Sequence, residues 1–235
     1  MNEPSVCAIM LTRDRPDMAK RAGECFRAQT YDPARRQLLI YDTGNTDWFF
    51  DNSDSENELI VPAFADAGKT IGALRNAANG CTIRGSILLH WDSDDYSHPT
   101  RIAEQVALLQ SSGAEAVGYN EMLFWRDSTA RGNTINGTGE AWLYRGDILG
   151  TSLCYWHGAW QRKPFPNTSY GEDTEWLCHI RAIGAFENDN PRMIARIHAG
   201  NAKNPAYDLG QMKAHPAHWT RVPEWDKYCA ERMEL

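Results

Sequence analysis

The chain has 235 residues, of which 42% are hydrophobic and 23% charged, and its formal net charge at pH 7 is −7. These values are those of an ordinary globular protein with one sizeable core, and the acidic excess argues against a general nucleic-acid binder. No apolar run approaches the length of a membrane span, and residues 1–4 lack the basic and apolar regions of a secretory signal.

The first half of the chain alternates strand and helix patterns. Short apolar runs predict buried strands over residues 6–11, 37–41, 58–61 and 87–91. Helical spacing predicts a helix that begins at Pro16 and further helices over residues 70–78 and 99–109. This order predicts a mainly parallel sheet with helices on both faces, and it places the loops after Leu11, Tyr41 and Trp91 along one edge.

The second half is less regular. Strands are predicted over residues 116–125, 141–145, 152–156 and 193–197. A helix is predicted over residues 172–183, with Trp176, Leu177 and Ile180 on its buried face. Polar stretches at residues 47–58 and 131–139 predict loops, although the first would also suit a frayed helix. After residue 201 we expect a loosely packed tail with at most one short helix.

The six cysteines are scattered, and no two form a Cys-x-x-Cys pair. A zinc site and a disulfide framework are therefore both poorly supported, and most of the cysteines are expected to be reduced core residues. We expect a cytoplasmic protein. Neither a repeat nor a linker composition divides the chain, so we expect a single domain over residues 1–235.

Three carboxylates directly follow the predicted strand at residues 87–91, in the sequence Asp92-Ser93-Asp94-Asp95. Carboxylates gathered at the end of a buried strand repel one another and lose hydration, and a hard divalent cation offsets that cost. This strand end is also where ligands bind in an open α/β sheet. The cluster therefore predicts a metal held against a phosphorylated ligand. The alternative is a turn and helix cap without a metal, since Asp and Ser are common in both.

Six segments together resemble the family 2 glycosyltransferases, and the resemblance covers residues 5–201. In chain order they are Ala28-Gln29-Thr30-Tyr31, Ile40-Tyr41-Asp42-Thr43-Gly44, Gly72-Ala73-Leu74-Arg75-Asn76, the acidic cluster with His98-Pro99, Pro164-Phe165-Pro166 with Tyr170-Gly171-Glu172-Asp173, and His198. Any one segment is weak, but six in the family's order are hard to obtain by chance.

The resemblance implies the GT-A fold, a single Rossmann-like α/β domain. Its mainly parallel central sheet would carry helices on both faces, and a smaller mixed sheet would lie on the acceptor side. Residues 5–110 would bind the nucleotide sugar, residues 111–201 would bind the acceptor, and residues 202–235 would form the tail. The family implies an inverting sugar transfer from a nucleotide-sugar donor, here a UDP-sugar by preference, with Mn²⁺ or Mg²⁺.

The family's functional positions carry over residue by residue. Asp173 matches the catalytic base, and Asp94 and His198 match the positions expected to contact the metal. Positions expected near the nucleotide sugar are Thr12, Arg13, Asp42, Arg75, Asp92 and Ser93. Family members commonly have a second acid after the position of Asp42, whereas this chain has Thr43, which leaves the donor base open. Asp95 is expected to brace the loop or to lie near the sugar.

Each of these residues also has a structural interpretation. Asp173 lies at a predicted helix start, where an acid favours the helix dipole without any chemistry. His198 would equally suit a hydrogen-bonded structural histidine, and Arg75 a surface ion pair.

Two other functions compete with sugar transfer. One is a metal-dependent nucleotidylyltransferase, although residues 12–16 lack the glycine-rich phosphate loop expected of it. The other is a non-catalytic nucleotide- or sugar-binding module. The acceptor class stays open between a glycan, a lipid, a protein and a modified nucleic acid, as does the oligomeric state. Acceptor contacts are expected from Trp142, Tyr144, Trp156 or the loop over residues 132–139.

Overall fold

The computed structural model describes residues 3–44, 57–82, 85–127, 129–130, 139–185, 191–200 and 209–233. The predicted loops at residues 47–58 and 131–139 lie almost entirely outside these ranges. The strands within them are β1 (Val6–Thr12), β2 (Arg36–Asp42), β3 (Glu58–Pro62), β4 (Ile87–His90), β5 (Tyr96–Ser97), β6 (Ala116–Tyr119), β7 (Glu121–Asp127), β8 (Gly139–Arg145), β9 (Cys154–Trp156), β10 (Ala182–Ala185), β11 (Met193–Ile197) and β12 (Trp219–Arg221). The helices are α1 (Pro16–Arg27), α2 (Ile71–Gly80), α3 (Arg101–Ser112), α4 (His157–Arg162), α5 (Glu172–Leu177), α6 (Leu209–Ala214) and α7 (Asp226–Met233).

The larger sheet has the strand order β10-β6-β9-β4-β1-β2-β3. Strands β2, β1 and β4 run parallel, with Val6 opposite both Arg36 and Ile87, while β9 runs antiparallel to both of its neighbours. The sheet is therefore mainly parallel, as the sequence predicts. Because β1, β2 and β4 are parallel, the loops that follow them meet at one edge of the sheet.

Side chains of β1 alternate between the two faces of this sheet. Val6, Ala8 and Met10 pack with apolar residues of α1 and α3, whereas Cys7 and Ile9 pack on the opposite face with residues of α2 and α5. Both clusters exclude water from β1, which explains why this strand is a continuous apolar run. The expected α/β class, with helices on both faces of the central sheet, is confirmed.

Local signals in the sequence define the helices around that sheet. Pro16 occupies the first turn of α1, where its missing N–H costs nothing. The hydroxyl of Thr70 accepts a hydrogen bond from the Ala73 N–H and caps α2. Gly113 follows α3 in the left-handed conformation that commonly ends a helix.

The second sheet is mixed and has the order β12-β8-β7-β11-β5. The apolar run over residues 116–125 predicts one strand, but the chain leaves the larger sheet after Tyr119 and enters the second sheet at Glu121. Asn120 lies between the two strands, and its N–H donates to the Ala185 carbonyl. An apolar run of this kind suits either sheet, so periodicity alone does not show the break.

The predicted helix over residues 172–183 is too long. Helix α5 ends at Leu177, and the chain then forms β10, whose Ala182 pairs with Ala116 of β6. Pairing with an available sheet edge overrides the helical periodicity of this segment. Trp176 is fully buried as predicted, whereas Leu177 and Ile180 are only partly buried.

The predicted loose tail is also wrong for residues 209–233. They add β12 to the edge of the second sheet, and α7 packs on its face through Cys229 and Met233. Apolar residues separated by polar ones hide this packing in the sequence. Within the part of the chain that the structure describes, no helix combines the length and apolar character that crossing a bilayer requires.

Candidate active site

The acidic cluster lies in the loop after β4, at the edge where the parallel strands end. Oδ2 of Asp94 accepts a hydrogen bond from Nη1 of Arg15 at 2.8 Å and lies 3.0 Å from Nε2 of His198. Burial alone would raise the pKa of Asp94, but the His198 hydrogen bond and the Arg15 charge outweigh burial and lower it. Asp94 is therefore held as a carboxylate by two basic side chains.

The proton position on His198 follows from its second ring nitrogen. The Gly200 N–H donates to Nδ1 of His198 at 3.1 Å, so in the neutral ring the proton lies on Nε2 and points to Asp94. A metal bound at Nε2 needs the opposite tautomer, which would break the Gly200 contact. As placed here, His198 is a hydrogen-bond donor towards Asp94.

Asp95 braces the loop. Its Oδ2 accepts from the Thr151 hydroxyl at 2.6 Å, and its Oδ1 accepts from the Arg196 N–H at 3.0 Å. Burial, together with the charges of Asp94 and Asp92, raises the pKa of Asp95 well above its ordinary value. The bracing position expected for Asp95 is thus the one that the structure has.

Asp173 lies in the first turn of α5, after Gly171 in the left-handed conformation. Its carboxylate is partly buried, Oδ1 accepts from the Thr174 N–H at 2.8 Å, and Oδ2 lies against Gly150. Gly150 precedes Thr151, which contacts Asp95. One short turn therefore touches both the candidate base and the acidic cluster.

Arg75 provides a second link between these groups. Nε of Arg75 lies 3.2 Å from Oε1 of Glu172, and both side chains are less than one-tenth exposed. Burial acts to lower the pKa of Arg75, but the charges of Asp92, Glu172 and Asp173 outweigh it and raise the pKa. The predicted alternative of a surface ion pair is therefore wrong, because this pair is buried among the acids of the site.

The remaining donor-side residues lie at the ends of β1, β2 and β4. The Thr12 carbonyl accepts from the Thr43 N–H, and Arg13 is exposed, 3.5 Å from Asp14. Asp42 is completely buried, and its Oδ1 caps the turn by accepting from the Gly44 N–H. Ser93 is buried and Asp92 partly buried. The structure thus brings Thr12, Arg13, Asp42 and Asp92 to one edge, while their contacts with a nucleotide stay a prediction.

The sequence patterns assign no role to three residues that support the site. Arg101 is completely buried, lies 4.9 Å from the Trp91 ring centroid, and donates to the His90 and Thr151 carbonyls. Arg15 and Glu172 supply the ion pairs described above. The ion-pair partner of Arg15 lies 79 residues away along the chain and that of Glu172 lies 97 residues away, so only the fold reveals these two pairings. Glu172 is the middle residue of the Gly-Glu-Asp segment, and that position is the one local signal.

The carboxylate oxygens of the acidic cluster suit a divalent cation, although the described side chains do not form a complete set of metal ligands. Within the described ranges, no group of three or more Asp, Glu, His or Cys side chains is arranged to enclose a metal ion. Asp94 nevertheless offers a carboxylate oxygen that already attracts two basic groups, with Asp92 two residues away. Carboxylate oxygens of this kind suit Mg²⁺ and Mn²⁺, so the residues fit the expected metal through Asp94.

The aromatic residues expected to contact an acceptor differ in how far they are exposed to solvent. Trp142 is only 5% exposed and belongs to the core of the second sheet, which removes it from that role. Tyr144 and Trp156 are partly buried against the two sheets. Tyr170, which the sequence did not single out for this role, is 62% exposed and precedes the start of α5 by two residues.

A separate cavity of about 450 Å³ lies on the second sheet. Its lining includes Glu121, Arg145 and Arg192, at the opposite ends of β7 and β11 from Asp127 and His198. Glu121 and Arg145 form an ion pair with each other. The acidic cluster does not line this cavity, so convergent side chains rather than cavity size define the candidate active site.

Neither a protein-family model nor a curated protein matches this chain. Among solved structures, S. aureus TarS 1–349 matches with a TM-score of 0.61 and 15% identity, over 82% of this chain and 60% of that one. TarS 1–349 in complex with UDP-GlcNAc matches with a TM-score of 0.59 and 13% identity, over 91% and 65%. The mannosyltransferase PcManGT from Pyrobaculum calidifontis, in complex with GDP-Man and Mn²⁺, matches with a TM-score of 0.58 and 15% identity, over 98% and 70%.

These similarities show a shared fold. This chain therefore has the mixed α/β fold of solved glycosyltransferases, and it spans less than two thirds of the length of the matched TarS structures.

Proposed function

We propose that this protein is an inverting, metal-dependent glycosyltransferase of the family 2 type. It would transfer a sugar from a nucleoside-diphosphate sugar, a UDP-sugar by preference, to an acceptor hydroxyl. The observation that carries the proposal is the convergence of three distant segments: Asp94 after β4, His198 after β11 and Asp173 at the start of α5. The solved structures with UDP-GlcNAc and with GDP-Man and Mn²⁺ support this donor class and this type of metal.

On the donor side, Asp94 would hold the divalent cation, with Asp92 and Ser93 beside the donor. The cation supplies charge neutralisation for the diphosphate as it leaves. Arg15 and His198 already point N–H groups at the Asp94 carboxylate, so they are positioned to donate to diphosphate oxygens as well. The expected His198–metal contact is therefore less favoured than a His198–diphosphate contact.

On the acceptor side, Asp173 would be the general base. It would take the proton of the acceptor hydroxyl as that oxygen bonds to the anomeric carbon and the bond to the diphosphate breaks. The buried Arg75–Glu172 pair lies beside it, and the charge of Asp173 is one of those that raise the pKa of Arg75. Because attack and departure occur on opposite faces of the sugar, the anomeric configuration inverts.

The direct test is donor turnover. The protein is incubated with UDP-, GDP- and TDP-sugars, with and without Mn²⁺, and release of the nucleoside diphosphate is measured. We expect metal-dependent UDP release from one donor. Formation of pyrophosphate from a nucleoside triphosphate and a sugar phosphate would instead identify a nucleotidylyltransferase.

A matched pair of variants tests the base. Asp173→Asn should lose about 10²–10⁴-fold in turnover, the usual contribution of general base catalysis, while UDP affinity stays within twofold. Glu175→Gln, an exposed acid in the same helical turn, should leave turnover unchanged. Normal turnover by Asp173→Asn would contradict the assignment and favour a binding module.

We further propose that residues 1–235 act as one domain with a donor half over residues 5–110 and an acceptor half over residues 111–201. A cytoplasmic location is proposed as well, and the six free cysteines support it.

A further inference from the structure

Gly150 lies where a side chain would collide with the candidate base. A Cβ atom at this position would lie 1.6 Å from Oδ2 of Asp173, 2.5 Å from its Cγ and 2.7 Å from its Cβ. The backbone of Gly150 is outside the left-handed region, so other residues could adopt its conformation. Space for the Asp173 side chain is therefore what requires glycine here.

The turn that carries Gly150 is anchored to the rest of the site. The Gly150 carbonyl lies 2.6 Å from Nδ1 of His90 and accepts from the Leu153 N–H. The next residue, Thr151, donates to Asp95 and accepts from Arg101. Gly150 consequently has a fixed position between the candidate base and the acidic cluster.

His90 is well suited to hold this turn. Its ring is 1% exposed and packs against Tyr155 and Phe165 at centroid distances of 5.5 and 5.4 Å. Nε2 has no hydrogen-bond partner among the described residues, and the Gly150 carbonyl can only accept, so Nδ1 carries the proton and donates it. Burial, followed by the charge of Arg75, lowers the pKa of His90 well below its ordinary value and keeps the ring neutral.

We propose that Gly150 and His90 are positioning residues for Asp173. This inference rests on the proposed function and adds to it two residues that touch no substrate. The absent side chain of Gly150 leaves a place for the carboxylate, and the His90 hydrogen bond fixes where that place is. The same turn aligns the base with the acidic cluster through Thr151.

The first test is Gly150→Ala, with Gly158→Ala as the matched control because a Cβ there meets nothing closer than 3.8 Å. At position 150 the added methyl group forces the Asp173 carboxylate to rotate away and the start of α5 to shift. A misplacement of about 1 Å costs on the order of 10²-fold in rate, so kcat should fall about 100-fold. UDP affinity should stay within twofold, and Gly158→Ala should behave like the wild type. An unchanged kcat for Gly150→Ala overturns the proposal.

A double variant separates positioning from a general structural effect. If Gly150 acts through Asp173, adding Gly150→Ala to Asp173→Asn should slow turnover no further than Asp173→Asn alone. A multiplicative loss overturns the proposal.

Two further readouts keep the proposal testable if Gly150→Ala fails to fold or if no donor is turned over. His90→Asn can still donate to the Gly150 carbonyl, whereas His90→Leu cannot, so Leu alone should lower kcat while UDP affinity persists. Equal kcat values for the two overturn the proposal.

A crystal structure of Gly150→Ala tests the proposal without any measurement of activity. We expect the Asp173 carboxylate to have moved away from residue 150. An unmoved carboxylate overturns the proposal even where the proposed function has failed.

Discussion

Nε2 of His198 lies 3.0 Å from Oδ2 of Asp94, although 104 residues separate them in the chain. Asp94 follows a strand of the larger sheet, and His198 follows a strand of the second sheet. The contact therefore joins the two sheets at the acidic cluster. Under the proposed function, it would place a proton donor beside the diphosphate that builds negative charge as it leaves.

Replacing Asp94 should remove metal-dependent donor binding. Asp94→Asn keeps the shape of the side chain but removes the charge, so we expect the affinity for UDP in the presence of Mn²⁺ to fall at least tenfold. Titration calorimetry with and without Mn²⁺ measures it, and Asp147→Asn, an exposed acid, is the control. Unchanged affinity in Asp94→Asn would show that the acidic cluster is only a turn.

Arg15 should compete with a cation for Asp94. Its guanidinium donates to Oδ2 at 2.8 Å from a side chain that is 30% exposed. Partly exposed pairs contribute about 0.2–1 kcal/mol, so Arg15→Met should tighten Mn²⁺ binding without nucleotide by about 1.4- to fivefold. Electron paramagnetic resonance of free Mn²⁺ measures this. Arg13→Met removes the same charge from an exposed neighbour and should have no comparable effect, whereas weaker binding by Arg15→Met would contradict the prediction.

Acid should destabilise the fold through His90. The folded ring stays neutral because its pKa lies well below 6.5, whereas the unfolded chain binds a proton near that pH. The contribution of His90 to the free energy of unfolding should therefore be constant above pH 6.5. Below that pH it should decrease by about 1.4 kcal/mol per pH unit. Urea denaturation between pH 5 and 8 should show a shallower slope for His90→Asn than for the exposed control His179→Asn. Equal slopes would show that His90 titrates normally.

Two glycines of α2 should respond differently to the same change. A Cβ at Gly72 would lie 1.9 Å from the Pro166 carbonyl oxygen, a backbone atom that cannot rotate away, whereas a Cβ at Gly80 meets nothing within 4 Å. Gly72→Ala should lose about 1–3 kcal/mol of unfolding free energy, and Gly80→Ala should lose none. Urea denaturation compares them directly. Equal stabilities would mean that the loop at Pro166 moves aside for the added methyl group at little cost in free energy.

The sequence predicts the central sheet well because its strands are buried on both faces and appear as short apolar runs. It fails where tertiary contacts decide, as at Asn120, where the chain changes sheets, and after Leu177, where a sheet edge replaces a helix. The same contrast between local sequence signals and tertiary contacts applies to the candidate site. The carboxylates stand out locally, whereas Arg101 has the pattern of an ordinary charged residue at a helix start, and only the fold shows that it is buried and donates to the His90 and Thr151 carbonyls.

The bracing of the acidic loop by Arg196 and His198 limits how this protein can be recombined. A chimera joined after residue 110 would inherit all four residues of that loop, whereas β11 and the turn after it, which supply the bracing N–H of Arg196 and the imidazole of His198, would come from the relative. To exchange acceptor preference between relatives, the grafted segments would therefore have to exclude β11 and the turn that follows it, so that these stay with the protein that supplies the acidic loop.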